Sequence, residues 1–229
     1  STASRLIEEH HTVLVQKNSG EGSGATDDDY VKVGVKVVDG PEEIFKNSNM
    51  IVKVKEPQES EWKMLKEEQI LFTYLHLAPD PKQAELLIRT GSTCIAYETV
   101  TDETGGLPLL APMSEVAGRM SVQAGACHLE KTRGGRGVLL GGIPGVAPAR
   151  VVVIGGGVVG DNAALIAVGM GADVTIIERS VQRLRYLDAK YQGKARCIIS
   201  NDETIEDYVT TADLVIGAVL IPVSYTHLR

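Results

Sequence analysis

Glycines at 155, 157 and 160 stand in G-x-G-x-x-G spacing, directly after four β-branched apolar residues, Val151-Val152-Val153-Ile154. A stretch rich in small residues, Asp161-Asn162-Ala163-Ala164-Leu165-Ile166-Ala167, follows at once and reads as a helix. Each glycine has a mechanical reason to be there. Gly155 lets a strand turn tightly. Gly157 leaves the backbone bare where a pyrophosphate approaches, and Gly160 lets the new helix pack close against its strand. The helix N-terminus then offers free N–H groups and a positive dipole end to the phosphates. The spacing alone also describes a flexible turn; the strand before it and the helix after it are what point to a dinucleotide. The next apolar run, Ala172 to Ile177, ends in Glu178, 18 residues past Gly160. A carboxylate there meets the ribose hydroxyls and repels a 2′-phosphate, which favours NAD over NADP. The adjacent Arg179 could serve a 2′-phosphate and pulls the other way.

A second set of candidates ends three apolar runs: Val54-Lys55-Glu56-Pro57, Tyr74-Leu75-His76 and Ala96-Tyr97-Glu98. In a parallel sheet all strand C-termini share one edge, and ligands bind there. Lys55, His76 and Glu98 are therefore expected at one crevice. Each also has a plainer reading. Lys55, like Lys53, can snorkel at a strand end. His76 can cap a strand or bond to backbone. Glu98 can cap the following turn. Tyr97 is expected to pack.

The elements that must position these residues form a rhythm. Strands are expected over 35–38, 50–54, 70–75 and 93–96, with helices over 41–46, 59–66 and 81–89 between them. A short strand over 12–15 follows a helix end at 5–10. Alternation of this kind means βα units and a mainly parallel sheet. Asp27-Asp28-Asp29 reads as an acid cluster at a helix start, where the dipole favours it, ahead of a metal site. Residues 105–112 read as a linker, 113–131 as a long helix whose small residues permit close packing, and 134–148 as irregular. A second βα run follows, with strands over 151–154, 173–177, 196–199 and 213–217.

The 229 residues carry 43% hydrophobic and 23% charged residues, ordinary values for a globular protein, and are long enough for two modest cores. The net charge of −7 and the lack of basic blocks argue against nucleic acid and anionic membrane surfaces. No apolar run reaches transmembrane length, and the first residues do not form a signal peptide. Cys94, Cys127 and Cys197 are widely spaced and read as buried free thiols of a reducing, cytoplasmic compartment. The five histidines show no metal-ligand spacing.

Several blocks together carry a family resemblance: Val54-Lys55-Glu56-Pro57, Leu71-Phe72-Thr73-Tyr74-Leu75-His76-Leu77, Ile95-Ala96-Tyr97-Glu98-Thr99, residues 108–118 and residues 134–139. They closely resemble the bacterial NAD-dependent L-alanine dehydrogenases, over a span from near residue 5 to Pro222. The resemblance implies an α/β fold of two Rossmann-like, doubly wound parallel-sheet domains: a substrate domain over 1–112 and an NAD-binding domain over 113–222. It implies reversible oxidative deamination of L-alanine to pyruvate and ammonium with NAD, in a cytoplasmic homo-oligomer, a hexamer in the family. Lys55 matches the lysine that holds the substrate carboxylate and carbonyl, and His76 the catalytic acid/base. Ser114, Val158, Glu178, Arg183, Ser200, Val219 and Leu220 match cofactor-contacting positions, beside Gly155, Gly157 and Gly160 of the glycine motif. The family usually has Asp where Glu178 stands.

The family's first strand with its substrate arginine, and its later Rossmann part with a catalytic aspartate, have no counterpart here. Residues 223–229 are unlike the family. The expectation is therefore an internal fragment, inactive by itself. Two alternatives are the dinucleotide-binding domain of proton-translocating transhydrogenase, which resembles the same fold, and a non-catalytic NAD-binding protein.

Overall fold

The computed structural model describes residues 2–219. The chain divides into two compact units between Leu107 and Pro108. The expectations for Leu220 and for residues 223–229 lie outside the described residues.

The first unit runs α1 (Thr2–Glu8), β1 (Leu14–Gln16), α2 (Asp27–Lys32), β2 (Lys36–Val38), α3 (Pro41–Asn47), β3 (Met50–Val52), α4 (Glu59–Trp62), β4 (Ile70–Thr73), α5 (Pro81–Thr90) and β5 (Thr93–Ala96). All its strand pairs are parallel, but they form two sheets, β1-β2 and β3-β4-β5, where the alternation suggested one. Leu71, at the centre of β4, is fully buried against Phe45, Ile51, Leu65, Leu75 and Leu87. The acid triplet before Tyr30 is a helix cap. Thr26 Oγ1 accepts from the Asp29 N–H, and Asp29 Oδ2 accepts from the Thr26 N–H. Asp80 caps α5 by accepting from the Gln83 N–H, with Pro81 in the first turn and Gly91, at φ 70°, ending the helix.

Several elements stop short of expectation, among them the first helix, which ends at Glu8, and the long helix of the second unit, which ends at Leu129. β3 ends at Val52 and β4 at Thr73, two residues early in each case. α4 covers only Glu59–Trp62, because Met64 N–H turns back to the Glu61 carbonyl and the buried Gln69 takes the Lys66 N–H. The three thiols are free, as expected, but only half-buried. Two lie on edge strands, Cys94 on β5 and Cys197 on the second unit's β8 (Ala195–Ile199), so a sheet neighbour covers only one side.

The second unit runs α6 (Ala111–Leu129), β6 (Arg150–Ile154), α7 (Val158–Gly169), β7 (Asp173–Glu178), α8 (Val181–Tyr191), β8, α9 (Asp202–Thr211) and β9 (Leu214–Gly217). Its sheet is fully parallel in the order β8-β7-β6-β9. The chain steps one way from β6 to β8, then crosses back to β9 on the other side of β6. That reversal makes a crevice at the strand C-termini beside β6. Strand alternation splits the core. Val151 and Val153 face Val122, Ala163, Ala167 and Leu187 of the α6–α8 layer, whereas Val152 and Ile154 face Ile205, Tyr208 and Val209 of α9. The small residues of α6 serve close packing: a Cβ on Gly118 would lie 2.2 Å from the Val159 carbonyl oxygen of α7.

Candidate functional site

In the second unit the glycine turn hangs from β6, one of the two interior strands of the sheet. Gly155 sits at φ 99°, a left-handed conformation that suits glycine, and its N–H bonds to the Ile177 carbonyl. A Cβ on Gly160 would stand 1.8 Å from the Gly155 carbonyl oxygen, so only glycine lets α7 begin this close. A Cβ on Gly157 would meet nothing within 4 Å. The middle glycine is therefore not demanded by internal packing, which fits a position kept bare for a ligand's approach. Val158, the first residue of α7, is exposed.

Glu178 ends β7 and reaches across to this turn. One carboxylate oxygen accepts from the Gly156 N–H at 2.7 Å, the other from the Ser180 N–H at 2.8 Å. Burial pushes its pKa up, but the N–H groups of Ser180, Gly156 and Arg179 and the Arg179 charge outweigh that, and the carboxyl is held below its ordinary range. Arg183 lies in the first turn of α8. Its Nε donates to the Gly156 carbonyl at 2.6 Å and its Nη2 to Asp161 Oδ2 at 3.0 Å, while the guanidinium stacks on Tyr186. Asp161 is nearly buried and also takes Lys190 Nζ and the Tyr191 hydroxyl, each at 2.7 Å. Burial raises the Asp161 pKa, but Lys190, Tyr191 and Arg183 reverse this and hold it low; the same contact and burial push the Tyr191 phenol up. Ser200 follows β8, its N–H bonded to the Glu178 carbonyl, and Val219 follows β9 on the same edge. Ser114 lies in the first turn of α6, half-buried. The turn, the carboxylate and the strand exits fit a dinucleotide phosphate and ribose.

In the first unit, the parallel order β3-β4-β5 puts the three polar strand exits on one edge. Lys55 follows β3 and is exposed. Its backbone is held by buried Thr73, whose hydroxyl donates to the Val54 and Lys55 carbonyls at 3.2 and 2.8 Å. Lys53 pairs with Glu61 instead. His76 follows β4 at φ 47°, in the left-handed region that few residues other than glycine enter. Its ring stacks on Tyr74 at 5.8 Å between centroids, and its Nδ1 lies 3.6 Å from Glu56 Oε2. That distance is long for a hydrogen bond, and Glu56 Oε2 is buried with no closer partner. The Glu56 carboxyl is held below its ordinary range, first by its own N–H and then, against burial, by His76 and Lys55. Glu98 neither projects freely into the crevice nor caps the turn that follows it: it accepts from the Leu75 and His76 N–H groups. Tyr97 packs edge-on against Phe72 and Tyr74, and burial raises its phenol pKa.

Glu56, Gln83, Asp161, Lys190 and Tyr191 were not singled out by the sequence. Asp161 adjoins the glycine motif but reads as an ordinary first-turn acid, and its partners Lys190 and Tyr191 lie 29 and 30 residues away. Among the described residues no group of three or more His, Cys, Asp or Glu could hold a metal ion, and no helix is long and apolar enough to cross a membrane.

The family models for the N-terminal and C-terminal domains of alanine dehydrogenase/PNT match residues 1–117 and 121–226. The chain belongs to the alanine dehydrogenase/PNT family. It is 52% identical to an alanine dehydrogenase of Halomonas elongata, over 97% of this chain and 60% of that relative. It is 54% identical to that of Methanococcus maripaludis, over 93% and 57%. A solved L-alanine dehydrogenase superposes with a TM-score of 0.88 at 49% identity, covering 96% of this chain and 61% of the other. A transhydrogenase from Sinorhizobium meliloti shares the fold, with a TM-score of 0.79 at 20% identity. The chain thus spans about three-fifths of the curated relatives it matches. Membership of this family implies a nucleotide cofactor.

Proposed function

We propose that the full-length protein containing this sequence interconverts L-alanine, NAD⁺ and water with pyruvate, ammonium, NADH and a proton. One observation carries the reading. The edge of β3-β4-β5 puts Lys55 and His76 at neighbouring strand exits, in a chain about half identical to alanine dehydrogenases that also holds a glycine turn with a carboxylate beside it.

A bound NAD⁺ would supply the acceptor for the hydride that leaves the alanine Cα. The glycine turn of Gly155, Gly157 and Gly160 and the start of α7 at Val158 receive the pyrophosphate. Glu178 accepts from the ribose hydroxyls, which favours NAD. Ser114, Arg183, Ser200 and Val219 flank the nucleotide. Lys55 places positive charge on the substrate carboxylate and polarises the pyruvate carbonyl in the reductive direction. His76 moves protons as water adds to the imine carbon and ammonia leaves. An imidazole suits this because its ordinary pKa, about 6.5, lies near neutrality. The family resemblance also supports a cytoplasmic homo-oligomer, with substrate and nucleotide domains over 1–112 and 113–222.

The test is alanine-dependent NADH formation by this sequence extended to the length of its relatives. Hydride exchange between nucleotides without alanine would instead favour a transhydrogenase, and NADH binding without turnover would leave only a nucleotide-binding protein.

A further inference from the structure

The corner that carries His76 is held from two sides. Glu98 Oε1 accepts from the His76 N–H at 2.7 Å, and both carboxylate oxygens accept from the Leu75 N–H, at 3.1 and 3.2 Å. On the other side of the same peptide, Gln83 Nε2 donates to the Leu75 carbonyl at 2.5 Å. Gln83 is only 2% exposed and is itself fixed, its N–H bonded to the α5 cap Asp80. These bonds surround a residue at φ 47°, a left-handed conformation uncommon for any residue that carries a Cβ. Glu98 follows β5 and is 22 residues from His76 in sequence, so no local turn accounts for the contact.

We infer that Glu98 is a positioning residue: its carboxylate, with Gln83 opposite, holds the Leu75–His76 backbone in the left-handed turn that presents the imidazole. The inference rests on the reading of His76 as the acid/base. Both Glu98 oxygens are turned onto amides, so its task is geometric and it transfers no proton to substrate. Releasing the clamp lets φ relax to negative values and swings the His76 Cβ away. Misplacement on the order of 1 Å lowers turnover by about 100-fold.

The experiment compares Glu98→Gln, Glu98→Ala and Gln83→Met with the wild type, in the sequence extended to full length. Expected are a kcat reduced about 100-fold in Glu98→Ala, partial recovery in Glu98→Gln, whose amide oxygen still accepts, and an intermediate loss in Gln83→Met. NADH affinity and the inflections of the pH profile stay as in the wild type. In the 229-residue chain itself, Glu98→Gln weakens hydrogen-exchange protection at the Leu75 and His76 amides, so the clamp is read even if Glu98→Ala fails to fold. Wild-type kcat in Glu98→Ala or Glu98→Gln overturns the inference, and so does a lost inflection in Glu98→Gln, which would make Glu98 the proton carrier. An inactive wild type on alanine overturns the reading of His76, a separate failure.

Discussion

Two carboxylates, one in each unit, solve the same problem in different ways. Glu98 follows β5 and clamps the exit of the adjacent β4; Glu178 ends β7 and clamps the exit of the adjacent β6. Each accepts from two backbone N–H groups, and each holds a loop at a parallel-sheet edge. The loops differ in what they must present. The turn after β6 offers bare backbone, so glycine supplies the positive φ at Gly155 without strain. The corner after β4 offers an imidazole, so a histidine takes the positive φ and is bonded on both sides of its peptide. Both turns take hydrogen bonds from distant residues; only the one that displays its backbone can also use glycine to set its shape.

The comparison breaks most visibly at the displayed groups. His76→Gln in the full-length protein is expected to lower alanine turnover by about 10²- to 10⁴-fold, with NADH affinity unchanged, as read by steady-state kinetics and fluorescence titration. The glycines sharpen it next. Gly160→Ala drives a Cβ into the Gly155 carbonyl and should cost about 1–3 kcal/mol in urea unfolding. Gly157→Ala meets open space, so its unfolding midpoint should hold while NADH affinity falls. An unchanged affinity would remove the pyrophosphate from this turn. The smallest effect is in pH. The folded-state pKa of Glu178 is depressed, so its stabilising contribution is complete above the unfolded carboxylate value, about 4.3, and fades as pH falls through the lower folded value. Urea midpoints measured across acid pH should show this, and Glu178→Gln should flatten that part of the curve.

The glycine turn was legible in sequence because its signature is local: an apolar strand, three spaced glycines and a small-residue helix lie within one stretch, although Glu178 and Arg183 also bond to it from a distance. Lys55 and His76 were legible as polar residues ending apolar runs. The clamp on His76 was not, because Glu98 and Gln83 reach it from other elements. The same clamp explains why β4 stops at Thr73 although the apolar run continues to Leu75: the Leu75 N–H bonds to Glu98 and leaves the ladder. The Asp161 network was hidden likewise, since it joins the first turn of α7 to the far end of α8. Gln69, a polar residue beside an apolar run, gave no sign that it would be buried and would bond to the Phe45 and Ser48 carbonyls.

β6 is paired on both edges and covered on both faces, and the glycine turn begins where it ends. Amides in such a strand open to solvent only when the whole unit opens, so their isotope exchange reports global rather than local fluctuation. A nucleotide held by the turn would bind the closed form alone and deepen that single equilibrium by mass action. Occupancy at the surface would therefore register as slower exchange at Val152 and Val153, deep in the sheet and out of reach of the ligand.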